Sequence, residues 1–165
     1  MNILNRVVAT AVVVMLCVPA VHSAEKADLV RVVKREKRLY LIRNGEVFAS
    51  FRAVFGGNPI GHKERQGDQR TPEGRYALDY KNAGSAYYKS IHVSYPNAKD
   101  REHASKLGVS PGGDIMIHGQ PNGKEVFTSI TQLFNWTDGC IALSNKNMEI
   151  VWKAVDVGTP IEIVP

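Results

Sequence analysis

Asp114-Ile115-Met116-Ile117-His118-Gly119-Gln120 and Trp136-Thr137-Asp138-Gly139-Cys140-Ile141-Ala142-Leu143-Ser144-Asn145 are the two stretches around which the rest of the chain is organised. In the first, the apolar run Ile115 to Ile117 reads as a buried strand that delivers His118 and Gly119 where strand gives way to loop. In the second, Thr137, Asp138 and Gly139 make a turn-prone approach to Cys140, and Ile141 and Leu143 are apolar positions that anchor the thiol from behind. A glycine directly before a thiol lets the backbone turn tightly and approach a substrate closely. A histidine and a cysteine held in this way form an activated pair if the fold brings them together.

Toward the N-terminus, Pro111-Gly112-Gly113 is a turn, and Ala98 to Leu107 reads as a short polar helix with Asn97 as N-cap and Gly108 as its end. Pro96 stops a strand over Ser90 to Tyr95, which Asn82 to Ala86 connects to another over Tyr76 to Tyr80. Asn58 to Gly74 is polar and rich in Gly and Pro; it ends in Arg70-Thr71-Pro72-Glu73-Gly74-Arg75-Tyr76, a proline-initiated turn that re-enters a strand. His62, Lys63, Arg65 and Arg70 are candidates there for meeting substrate carboxylates. Arg70 is favoured because the turn fixes it, although a charged loop is more often a solvated face. Before this loop, Leu29 to Val33, Arg38 to Arg43 and Glu46 to Val54 read as strands, the last two joined by Asn44-Gly45, the strongest short hairpin signal.

Between His118 and Cys140, the apolar residues Val126, Phe127, Ile130, Leu133 and Phe134 have helical spacing despite their β-branched neighbours, and predict a short helix. Ser144 or Asn145 caps a further helix through about Val155. Gly158-Thr159-Pro160 then turns into a last strand, Ile161 to Val164. The expectation is one mostly-β domain with a few short helices.

Met1 to Ser23 reads as a secretory signal. Arg6 supplies the positive start, Val7 to Val18 the apolar run, and Val21 and Ser23 a small-residue cleavage site before Ala24. That run is about a dozen residues, against the roughly 20 that span a bilayer. The expected organisation is therefore a cleaved leader at 1–23 and a folded domain at 24–165, placed in the periplasm with no membrane span after cleavage. Cleavage removes Cys17, whose preceding Leu16 is too bulky for a lipid-anchor site, and leaves Cys140 as the one cysteine of the exported domain. In a compartment that favours disulfides, such a thiol is a buried small apolar residue, an intermolecular bridge or a nucleophile. The Thr-Asp-Gly-Cys setting favours the nucleophile.

The leader carries one of the chain's 21 basic residues and none of its 16 acidic ones, which leaves the domain at +4. The charges alternate and form no patch with interleaved aromatics, so no nucleic-acid partner is expected. His62, His92, His103, His118, Asp114 and Cys140 include no pair at the short spacing of a zinc motif, and no glycine-rich loop has the setting of a phosphate cradle. No metal or cofactor is expected. His92, in an apolar strand, reads as a strand-face histidine.

The order hairpin, Thr71-Pro72-Glu73-Gly74-Arg75-Tyr76, Ile117-His118-Gly119 and Thr137-Asp138-Gly139-Cys140-Ile141-Ala142-Leu143-Ser144-Asn145 resembles the L,D-transpeptidase catalytic domain of the YkuD type over nearly the whole exported domain. It is most similar to a small periplasmic subgroup with Thr-Asp-Gly-Cys in place of the commoner Ser-His-Gly-Cys-Ile-Arg. The resemblance implies a catalytic β-sandwich or barrel and a cysteine enzyme acting on peptidoglycan stem peptides, with Cys140 as nucleophile and His118 as its base. It also implies that the Gly119 carbonyl orients the imidazole; by chemistry alone Asp138 is the alternative. The main-chain N–H groups of Gly139 and Cys140 are the natural oxyanion donors. Thr137 takes the family's serine position, either as a substrate contact or as a turn hydroxyl, and Trp136 either flanks the cleft or packs. Ala142 stands where most of the family has arginine. Some relatives with this pattern hydrolyse rather than transfer, trimming stem peptides or releasing peptidoglycan-bound lipoprotein.

Overall fold

The computed structural model describes residues 25–165, so the leader expected at 1–23 and Cys17 lie outside the described residues. Eight strands form one sheet in the order β3-β2-β1-β8-β4-β5-β6-β7. They are β1 (Leu29–Val33), β2 (Arg38–Arg43), β3 (Glu46–Arg52), β4 (Gly74–Asn82), β5 (Ser90–Val93), β6 (Met116–His118), β7 (Ile141–Ala142) and β8 (Pro160–Val164). Asn44 and Gly45, both at positive φ (52° and 81°), turn the β2–β3 ribbon back on itself, the conformation that an Asn-Gly hairpin supplies. The C-terminal β8 lies parallel to β1 and antiparallel to β4, and so joins the ribbon to the rest.

β4 serves both halves of the sheet. Its Gly74 to Ala77 pair with β8, and beyond a register shift between Leu78 and Lys81 it pairs with β5. Such an irregularity bends a strand and increases its twist. The bend allows closure. The chain leaving β3 crosses to the opposite edge strand, where Val54 and Ala142 exchange N–H···O bonds of 3.0 and 2.8 Å, and Gly56 bridges Thr137. The expected sandwich or barrel is thus a curled half-barrel. Leu39, Leu41, Phe55, Ile117, Ile141 and Leu143 inside it are fully buried, each contributing about 1.5–3 kcal/mol of apolar burial.

Among the described residues, three α-helices accompany the sheet. α1 (Ala98–Lys106) starts at Asn97 in a full capping box with Asp100. α3 (Asn145–Ala154) is capped by the Ser144 hydroxyl, which accepts from the Asn147 N–H, and it buries Met148, Val151 and Ala154 against the sheet. The helix expected over Val126 to Phe134 is reduced to a 3-10 turn (Glu125–Phe127) and a single turn, α2 (Thr128–Thr131). Its apolar side chains face solvent, with Val126 83% and Leu133 63% exposed. One turn containing Thr128, Ile130 and Thr131 lacks both the length and the packing that would propagate a helix.

Strand ends differ from expectation for local reasons. The strand expected to reach Val54 stops at Arg52, because the Ala53 N–H turns to the Lys37 carbonyl and Val54 leaves for β7. The strand expected to reach Tyr95 stops at Val93, just before Pro96, which has no N–H to offer a ladder.

Candidate active site

The ladder between β6 and β7 builds the site. These strands run parallel with Ile117 opposite Ile141 and His118 opposite Ala142, and the Leu143 N–H donates to the His118 carbonyl at 2.8 Å. Continued one step back, the register sets Cys140 beside Met116, and the Met116 N–H points at Cys140 Sγ at 3.4 Å. Side chains alternate along a strand. Met116, His118, Cys140 and Ala142 therefore share one face, and the apolar Ile117 and Ile141 are buried on the other.

Turn chemistry holds the thiol in place. The Thr137 hydroxyl donates to the Cys140 carbonyl at 2.7 Å and accepts the Gly139 N–H at 3.2 Å. Gly139 has φ of +133°, and a Cβ there would lie 2.7 Å from the Arg70 carbonyl oxygen, so both conformation and space demand glycine. The Sγ atom also lies 3.5 Å from the Asp114 carbonyl.

His118 is buried, with 5% of its surface exposed, and its Nδ1 is 2.7 Å from the Gly119 carbonyl oxygen. A carbonyl can only accept, so Nδ1 carries the proton and Nε2 keeps the free lone pair. The ring is enclosed by Tyr87, with centroids 4.7 Å apart, and by Trp136, edge-on at 5.9 Å. Burial lowers the His118 pKa, against the opposing effect of the Gly119 hydrogen bond. Burial raises the Cys140 thiol, aided by the Asp138 and Asp114 carboxylates and opposed by the Met116 N–H and Lys63. Both shifts favour the neutral forms of thiol and imidazole.

His118, Cys140, Thr137, Asp138 and Trp136 line one cavity of about 470 Å³, together with Tyr87, Met116 and Asp114. A second depression of about 280 Å³, with Lys63 and Gly112 in its wall, shares Cys140, Asp138 and Asp114 with the first. Cys140 stands on the saddle between them.

A family model described as the L,D-transpeptidase catalytic domain (YkuD) matches residues 27–163. The chain belongs to this family. The Escherichia coli K12 protein YafK, which carries L,D-transpeptidase as a provisional name, is 30% identical over 132 residues, 76% of this chain and 46% of YafK. The helical cell shape determining protein Pgp2 of Campylobacter jejuni, solved as a K307A mutant, is 29% identical with a TM-score of 0.62 over 86% of this chain and 48% of that one. An L,D-transpeptidase from Xylanimonas cellulosilytica shares the fold at 17% identity and a TM-score of 0.56, over 84% and 61% of the two chains. The chain spans about half the length of YafK and Pgp2.

The L,D-transpeptidase fold gathers most of the residues singled out in the sequence. Cys140, His118, Thr137, Asp138 and Trp136 meet in one cavity, and Gly119 and Gly139 serve through their main chains. The imidazole's partner is the Gly119 carbonyl; Asp138 is exposed beside the thiol. The Gly139 N–H is already donated to Thr137, which narrows the expected pair of oxyanion donors.

Arg70 is not brought to the cavity. Its guanidinium reaches Glu64 Oε2 at 3.2 Å and the His62 carbonyl at 3.3 Å. His62 and Lys63 also pair with carboxylates, although Lys63 borders the second depression. His62 Nε2 is 3.2 Å from Asp100. Lys63 is buried and donates to Asp68, where burial raises the carboxyl but bonds from Lys63, Glu64, Arg70 and Arg65 outweigh it and hold its pKa at about 2. His92 is 2.6 Å from Asp79 and stacks on Tyr80, and it does not line the cavity. Among the described residues, no three or more His, Cys, Asp or Glu side chains gather as a metal site. Tyr87 is the cavity residue the sequence reading missed; an aromatic pair, Tyr87-Tyr88, closing the small-residue loop Ala83-Gly84-Ser85-Ala86 was the available signal.

Proposed function

We propose that this chain is an exported cysteine enzyme of the L,D-transpeptidase type that acts on peptidoglycan stem peptides through a thioester at Cys140. The observation that carries the reading is a thiol and an imidazole with its Nε2 lone pair unspent, lining one cavity in a member of this family. In the proposed reaction, His118 Nε2 takes the thiol proton as Sγ attacks the carbonyl that follows a diaminopimelate-type L-centre. The oxyanion is met by the Cys140 N–H. The C–N bond breaks, His118 returns the proton to the departing D-residue amine, and the acyl group stays on sulfur. An acceptor amine, its proton taken by His118, then attacks the thioester and completes transfer. Trp136, Thr137 and Asp138 border the bound peptide, and the sequence needs no cofactor. A cleaved leader at 1–23 and a periplasmic setting belong to the same proposal.

Hydrolysis is the second reading, favoured by Ala142. That residue is fully buried, and its main chain is sealed by the Val54 bridge, so this position offers no cation to the cavity. With water as acceptor, the same acyl-enzyme gives an L,D-carboxypeptidase or an amidase that releases peptidoglycan-bound lipoprotein. Mass spectrometry of peptidoglycan, with and without bound lipoprotein, after incubation with the protein or with Cys140→Ala distinguishes these. Direct links between diaminopimelate residues or exchanged terminal D-amino acids mark transfer; shortened stems or freed lipoprotein without exchange mark hydrolysis. Equal products from the folded Cys140→Ala variant would sink both.

A further inference from the structure

We propose that Asn145 is a positioning residue for His118, acting through the one peptide group that joins Gly119 to Gln120. The inference rests on the Cys140–His118 pair proposed above. The carbonyl end of this peptide accepts from His118 Nδ1 at 2.7 Å, and its N–H end, on Gln120, donates to Asn145 Oδ1 at 2.7 Å. A peptide group is planar and trans, with its C=O and N–H pointing in opposite directions. Fixing the N–H therefore fixes the carbonyl, and the carbonyl fixes the imidazole. Accepting from the N–H also polarises the group, which makes its oxygen a better acceptor for Nδ1–H.

Packing leads to the same residue. A Cβ on Gly119 would lie 2.6 Å from Asn145 Oδ1 and 2.9 Å from Tyr88 Cβ, so the amide oxygen of Asn145 occupies the space a side chain at Gly119 would need. Glycine at 119 and asparagine at 145 are one device. The junction from β7 to α3 holds Asn145 in place, with the Leu143 N–H on the His118 carbonyl before it and the Ser144 cap beside it. Fully buried Gln120 ties the same junction, its Nε2 donating to the Leu143 carbonyl at 2.7 Å. Without the Asn145 oxygen, the Gln120 N–H is orphaned and its peptide is free to turn. Nδ1 then loses its acceptor, and the imidazole loses the tautomer that leaves Nε2 as base.

The test is the rate at which iodoacetamide alkylates Cys140, followed by mass spectrometry from pH 5 to about 10. Wild type should show a plateau near neutral pH, set by the imidazole, and a rise toward alkaline pH as the thiolate forms. His118→Ala should remove the plateau. Asn145→Ala should lower it about tenfold, the lower end of what losing an outer hydrogen-bond partner costs, with the alkaline rate unchanged. A purely structural role would lower the melting temperature and leave the profile alone. Asn145→Asp keeps an oxygen acceptor and adds negative charge behind the peptide, so it should retain the plateau and move its acid edge to higher pH. A wild-type plateau in Asn145→Ala, with the plateau gone in His118→Ala, overturns the role of Asn145 and leaves the pair standing. A wild-type plateau in His118→Ala removes the pair and this inference with it. Should Asn145→Ala fail to fold, Asn145→Asp decides, and an unmoved acid edge there overturns the proposal.

Discussion

The floor of the cavity and the segment that connects its two strands are built by different means, although one continuous stretch of chain runs through both. On the floor, β6 and β7 place His118 and Cys140 by main-chain pairing, with Ile117, Ile141 and Leu143 fully buried behind them. The connecting segment, residues 121–135, does not line the cavity and is held by scattered bonds: Arg52 to the Gln132 carbonyl, Gln132 to the Ala142 carbonyl, and the Phe55 N–H to Asn135. Its large apolar side chains point outward. The lesson is that the thiol and the imidazole are positioned by the ladder, whose geometry the backbone dictates, and the intervening segment closes the loop without setting that geometry.

Five measurements break or sharpen this contrast. His118→Ala, on the floor, should cost about 100-fold or more in Cys140 alkylation at neutral pH, the scale of a lost general base; an unchanged rate would mean that the ladder places a histidine without chemical use. Ile117→Ala should destabilise by about 3 kcal/mol in urea unfolding, as buried large-to-small changes do. Ile130→Ala in the connecting segment should stay within about 0.5 kcal/mol, and equal losses at the two positions would erase the distinction. Asn97→Ala removes a helix cap remote from both regions and should cost about 1 kcal/mol with the alkylation profile unchanged. The smallest effect is on pH. Burial raises the Cys140 thiol above its ordinary 9.0, so over the range above 9 the folded state holds a proton that the unfolded state has released. The stabilisation is complete below that value and lost as pH rises through the folded one. Wild type should therefore lose stability relative to Cys140→Ala above pH 9, and parallel curves would refute the shift.

The same contrast explains what the sequence disclosed. Floor and scaffold were legible because period-two alternation, Asn44-Gly45, the Asn97 and Ser144 caps and the Gly139-Cys140 turn are local signals whose physics the fold does not override. The connecting segment misled because helical spacing at Val126, Phe127, Ile130, Leu133 and Phe134 implies a core to face, and this segment has none. Arg70 misled differently. Its turn is fixed as expected, but a local turn cannot show that Glu64 lies nearer to the guanidinium than the cavity does. Tyr87 and Asn145 reach His118 only through the sheet, across separations that no local pattern encodes.

The crossing that joins Val54 to Ala142 also bears on the order of folding. Contacts between residues so far apart in the chain require loop closure first and form slowly compared with the Asn44-Gly45 hairpin. Closure of the half-barrel onto the edge strand that carries Ala142 is thus a late event, after the local ribbon has formed.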